Sequence, residues 1–130
     1  QFAYTIVYVP DVAASLAFFG KAFGLKTRFL HESGAYGELD TGEGGARLAF
    51  VDHATARDSV QHDYVAASES TQPLGMEIGF TVGDVRAAYD RAVAAGATAL
   101  AAPVTKPWGQ TVAYVRCPDG ALVELCTVMG

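Results

Sequence analysis

At 130 residues, the chain suits a single domain that buries about two thirds of the surface its unfolded form exposes. Its 51% hydrophobic and 18% charged residues describe a folded globule rather than a disordered tail. A net charge of −5 with only nine Lys and Arg argues against a nucleic-acid partner, and no apolar run approaches the roughly 20 residues that span a bilayer.

No signal-peptide pattern is read at the start of the chain. The two cysteines, Cys117 and Cys126, flank a tight turn at unequal distances, too far apart for the short separation a disulfide needs. They are expected as reduced apolar residues in a cytoplasmic protein with no membrane partner.

Residues 3–9 combine Tyr, Thr, Ile and Val and predict a strand. Pro10 ends its ladder, and Asp11 is placed to cap a helix. In that helix Val12, Leu16, Phe19 and Phe23 form one apolar stripe, and Gly24 closes it. Strands are predicted at about 26–31, 35–40 and 46–51, the last two joined by the glycine-rich turn from Thr41 to Gly45. Residues 53–75 read as a connection with one helical turn and a polar linker.

A second strand–helix unit starts at Met76 and runs to Val82; Asp84 caps its helix, whose stripe is Val85, Tyr89 and Val93, and Gly96 closes it. Strands follow at about 98–102, 110–116 and 121–127, with Pro118-Asp119-Gly120 as a turn between the last two.

The two halves repeat. Asp11 maps onto Asp84 at an offset of 73, and Gly45–Phe50 maps onto Gly120–Leu125 at an offset of 75. The fold class is therefore α+β: tandem βαβββ modules forming a curved sheet groove. Repeat 1 spans about 2–53, a linker about 54–75 and repeat 2 about 76–129, within one domain 1–130.

Several phrases carry a family likeness: Tyr8-Val-Pro-Asp-Val12 leading into Leu16-Ala-Phe-Phe19, then Pro107-Trp-Gly-Gln110, then Arg116-Cys-Pro-Asp-Gly-Ala-Leu-Val-Glu-Leu125. Over essentially the whole chain they resemble the vicinal-oxygen-chelate superfamily of glyoxalases, bleomycin-resistance proteins and extradiol dioxygenases. The stretch from His31 to Leu39 is similar to that of its small members.

The resemblance implies four metal-ligand positions, one on the first and one on the last strand of each repeat. Here they are Tyr4, Ala49, Glu77 and Glu124, and the repeat offsets pair Tyr4 with Glu77 and Ala49 with Glu124. A catalytic metal wants about three protein ligands, and Ala49 offers none. No metal cofactor is therefore expected. The first reading is a metal-independent small-molecule-binding protein. Tyr4, Tyr8, Trp108 and Tyr114 would wall an apolar or aromatic ligand, with Glu77, Glu124 and Gln110 as polar contacts. The alternative is a lyase, isomerase or dioxygenase holding Mn, Ni, Zn or Fe at a degenerate Tyr4/Glu77/Glu124 site completed by His31, with Glu77 and Glu124 as its catalytic groups. A third is a scaffold whose pocket its own side chains fill. The resemblance also implies a homodimer.

Plainer roles stand beside these. Each glutamate would be satisfied by Arg47 or Arg116, while Tyr36 and Tyr114 would be strand packing residues. Phe50 is expected on the helix side, and His53 and His62 on the surface. His31 is open to a groove or dimer role. No HExxH, nucleophile elbow, P-loop or dinucleotide fingerprint is present.

Overall fold

A computed structural model describes residues 1–129. Repeat 1 consists of β1 (Tyr4–Val9), α1 (Val12–Phe23), β2 (Thr27–Leu30), β3 (Tyr36–Leu39) and β4 (Arg47–Asp52). After α2 (His53–Val60) and a 3₁₀ turn at Ala67–Glu69, repeat 2 gives β5 (Ile78–Thr81), α3 (Val85–Ala95), β6 (Thr98–Thr105), β7 (Thr111–Arg116) and β8 (Leu122–Cys126). The strands form two four-stranded sheets, ordered β1-β4-β3-β2 and β5-β8-β7-β6. In each, the first strand runs parallel to the last, and the remaining pairs are antiparallel.

The helices are punctuated as the sequence predicts. Asp11 accepts from Ala14 N at 3.0 Å and Asp84 from Ala87 N at 3.0 Å, each satisfying an amide that the first helical turn leaves unpaired. Val12, Leu16 and Phe19 are buried, with Phe23 packed against them. The α3 stripe differs: Val85 and Ala92 are buried and Ala88 is half-buried, while Val93 is exposed. Alanines face the sheet because their small side chains let the helix approach closely, which displaces Val93 to the rim.

One core joins the repeats. The Phe19 ring lies 5.1 Å from Phe50 of its own sheet and 6.4 Å from Phe80 of the other. The helices also exchange mirrored contacts. Phe18 of α1 lies against Gly96 at the end of α3, and Arg91 of α3 lies against Gly24 at the end of α1. Arg91 Nε donates to Lys21 O at 2.9 Å, pairing a carbonyl that the helix terminus leaves free.

The Pro-Asp-Gly turn is a second junction. Buried Asp119 accepts from Ala121 N at 3.0 Å and from Ser15 Oγ of α1 at 2.8 Å. Gly120 takes φ +94°, and a Cβ there would stand 2.2 Å from the Ala67 carbonyl. Arg116 Nη2 donates to Ala67 O and to Ser70 O, both at 2.8 Å, so the linker is clasped onto repeat 2.

Two boundaries depart from expectation. The connection carries a helix of eight residues rather than one turn, capped by Asp52, which accepts from Thr55 N at 2.8 Å. The sixth strand continues to Thr105, because its exposed residues pair with β7 beyond a register shift. Among the described residues no helix is long and apolar enough to cross a membrane.

Candidate functional site

Strand alternation sets the site. In β1, Val7 and Val9 pack on the core side, so Tyr4, Ile6 and Tyr8 point to the opposite face. There Ala49 is paired in register with Ile6 on one side and Glu38 on the other. In repeat 2, Glu124 is paired with Gly79 and Tyr114. Ala49 and Glu124 are equivalent by the repeat, so their neighbours Glu38 and Tyr114 are equivalent too. Repeat 1 thus keeps a carboxylate, one strand over from Ala49.

That carboxylate is occupied. Glu38 accepts from Tyr36 Oη at 2.6 Å and pairs with Arg28 Nε at 3.3 Å. Burial, then the bond to Glu38, pushes the Tyr36 phenol up to about 12. Phe50 lies buried in the core on the helix side, as expected. Tyr4 is 53% exposed and contributes a small upward push on Tyr36.

In repeat 2 the neighbouring Glu124 side chain, then burial and the charge of Glu124, raises the Glu77 carboxyl above its ordinary value. Tyr114 beside them is raised by burial and then by both carboxylates. Neither guanidinium proposed from the sequence reaches the pair: Arg116 is spent on the linker and Arg47 donates to Gly42 O at 3.4 Å. Arg116 serves linker carbonyls that chain order could not place near it, and Arg47 serves one in its own hairpin. Gln110 donates to Thr127 O and accepts from Trp108 Nε1, each at 3.0 Å. Trp108 itself is 62% exposed on the β6–β7 hairpin.

A cavity of about 380 Å³ opens between β1 and the start of β5. Ile6 and Tyr8 form one wall, and Tyr64 and Leu74 from the linker, with Met76 at the start of repeat 2, close it. Glu77 is the charged side chain on its lining. The Tyr8 and Tyr64 rings are 5.0 Å apart and tilted by 57°. Behind them His53 Nδ1 bonds Tyr64 Oη at 2.5 Å, and Arg57 sits 5.0 Å over the Tyr64 ring.

Of the residues expected to bind ligand, the cavity therefore gathers Tyr8 and Glu77, with Glu124 and Tyr114 adjoining through Glu77. Tyr4, Trp108 and Gln110 are not on its lining. His53 corrects the surface expectation: its Nε2 is buried with no partner, because α2 folds back against Tyr64. His62 is exposed, and His31 bonds Ser33 within its own exposed turn at 2.8 Å. Tyr64, Leu74 and Met76 escaped sequence reasoning. Their signal was the recurrence of large apolar residues in an otherwise polar linker.

Of the positions the resemblance gives for a metal, Ala49 carries no ligating atom, and Glu38 one strand over from it is held by Arg28 and Tyr36. Among the described residues no three His, Cys, Asp or Glu side chains converge.

The glyoxalase/bleomycin resistance protein/dioxygenase superfamily model matches residues 1–125. The chain belongs to this superfamily. A glyoxalase-related enzyme from Fulvimarina pelagi superposes with a TM-score of 0.83 at 24% identity, covering 98% of this chain and 88% of that one. A superfamily enzyme from Burkholderia phytofirmans PsJN gives 0.73 at 26% identity, covering 97% of each chain. TioX from Micromonospora sp. ML1 gives 0.68 at 20% identity, covering 98% of each. A comparison with curated proteins finds no match. The superfamily's paired-module fold is thus the scaffold on which the cavity and the glutamate pair are built.

Proposed function

We propose that this superfamily member binds a small apolar or aromatic molecule without a metal, and that the ligand occupies the cavity between β1 and β5. The observation that carries this is the cavity itself. Its volume of about 380 Å³ falls in the range of small-ligand pockets of roughly 300–1,000 Å³. Its walls are two tyrosines and aliphatic side chains, with a single carboxylate at one side. That is the usual composition of a small-molecule site: apolar walls give affinity and one polar group gives orientation.

The reading is tested by NMR titration with a panel of small planar aromatics, on the wild type and on Met76→Trp. Met76 is 68% exposed yet lines the cavity, so a larger side chain there obstructs it without disturbing the core. Ligands should shift resonances of Ile6, Tyr8 and Tyr64 in the wild type and lose affinity in the variant. Binding that Met76→Trp leaves intact refutes the location. Metal independence is tested by thermal-shift titration of metal-stripped protein with Mn²⁺, Ni²⁺, Zn²⁺ and Fe²⁺. Stabilisation of roughly 2.7 kcal/mol at 100 times the dissociation constant, abolished by Glu77→Ala and Glu124→Ala, refutes it.

A further inference from the structure

Four consecutive residues of β1, Thr5, Ile6, Val7 and Tyr8, line the cavity. One face of a strand supplies only alternate residues, so β1 presents its edge there. Both strands beside the cavity are edge strands, β1 ending one sheet and β5 the other. The ladder bonds show which main-chain groups this leaves free. Arg47 N donates to Ala3 O at 3.1 Å, and Val82 N donates to Cys126 O at 2.8 Å. In a strand the N–H and C=O of one residue point the same way, and those of the next point oppositely. Ala3, Thr5 and Val7 therefore face β4, while Ile6 and Tyr8 turn their N–H and C=O to the open edge. Among the described residues none donates to or accepts from the main chain of Ile6 or Tyr8. Main-chain groups beside an apolar space call for hydrogen-bonding partners.

The outer edges of the two sheets are blunted against pairing. β6 holds Pro103 and shifts register twice against β7, and β2 shifts once against β3. Proline and bulges are the devices by which sheets protect exposed edges. β1 has neither: it pairs with β4 without a break and reads Tyr-Thr-Ile-Val-Tyr-Val, with no proline and no charge. A regular apolar edge beside a cavity is a template for an added strand. We propose that the cavity takes a short peptide in extended conformation, whose main-chain amides pair with Ile6 and Tyr8 as an added strand of the first sheet. This inference rests on the cavity being a binding site.

The edge sets the length of the ligand and the walls set its side chains. From Ile6 to Tyr8 a strand rises about 7 Å, the reach of a peptide of about two residues. Tyr64 and Leu74 of the linker bound the space beyond. Side chains of an added strand alternate between faces. One lies beside Ile6 and Tyr8, and the next lies beside Val7 and Ile78, which pack towards the core. Both faces favour apolar side chains. An apolar molecule without amides would fill the same walls and leave the main chain of Ile6 and Tyr8 unpaired.

The test titrates three probes by NMR: N-acetyl-L-phenylalanine methylamide, the same compound methylated on both nitrogens, and butylbenzene. Amide hydrogen exchange is followed in parallel, on the wild type and on Met76→Trp. The first probe should bind roughly tenfold more tightly than its methylated form, which lacks the donors. It should slow exchange at Ile6 or Tyr8 and leave Thr5 and Val7, already paired with β4, unchanged. Met76→Trp should remove both effects. Equal affinity of the two amides, or binding that leaves exchange at Ile6 and Tyr8 unslowed, overturns the added strand and leaves an apolar site. Protection of these two amides that grows with protein concentration alone gives the edge to a second copy and overturns the peptide. Failure of all three probes to bind overturns the cavity reading as well.

Discussion

Replacing Gly120 by alanine should destabilise the protein by about 2–5 kcal/mol. Two separate costs add. At φ +94° an L-residue pays about 1–2 kcal/mol for its Cβ against the neighbouring carbonyl. The new methyl would stand 2.2 Å from the Ala67 carbonyl carbon and oxygen and 2.6 Å from Ser68 N. These are backbone atoms that no rotamer change can move aside, so overpacking adds about 1–3 kcal/mol. The linker has to lift, and the two bonds from Arg116 to Ala67 O and Ser70 O go with it. In a calorimeter the loss reads as a fall of roughly 8–20 °C in Tm for a domain of this size. Arg116→Ala removes the same bonds from the other side, and charged donors are worth about 1.5–3 kcal/mol. Both changes act on one segment, so the double variant should lose less than their sum. A Gly120→Ala loss below about 1 kcal/mol, or strict additivity with Arg116→Ala within roughly 0.5 kcal/mol, refutes the clasp.

Asp119→Ala strands the buried Ser15 hydroxyl and the turn amide of Ala121, and should cost about 2–4 kcal/mol in urea denaturation; a loss under 0.5 kcal/mol by the same assay, on this order of magnitude, would contradict it. The Glu77 carboxyl is raised on folding, so the native state holds its proton more tightly than the unfolded chain. Stability from this group is therefore present at low pH and falls as pH rises through the folded value. Glu77→Gln should then be more stable relative to wild type at pH 7 than at pH 4; a gap that widens towards acid is the opposing result. Tyr36 should ionise near 12 in an ultraviolet titration, and Glu38→Gln should bring it down by removing the acceptor and its charge. An unchanged Tyr36 titration in that variant would show that the bond is absent in solution.

The repeat was legible because each half carries its own punctuation. Asp11 and Asp84 cap the helices, Gly24 and Gly96 close them, and the offset alone aligned Ala49 with Glu124. What the sequence hid depends on contacts between distant segments. The α2 helix has one buried residue, Ala56, and so shows no apolar stripe to read. The α3 stripe was misplaced because alanine carries little periodic signal, although Ala92 is fully buried. Arg116 was matched to a glutamate by charge, whereas its partners are carbonyls 49 and 46 residues away in the linker. The glutamate pair was readable as two positions, but its cavity was not, since Tyr64 enters through the fold of the connection.

The mirrored helix-end contacts bear on the ancestry of the chain. Phe18 and Arg91 occupy equivalent positions, and each lies over the other helix's closing glycine. An ancestral pair of identical units would have made one contact twice. Here one contact has become an aromatic cover and the other a guanidinium that binds the helix-end carbonyl of Lys21. Exchanging the two side chains would leave each facing an end shaped for the other. The halves are therefore not interchangeable copies at this junction, for all that their helices are capped alike.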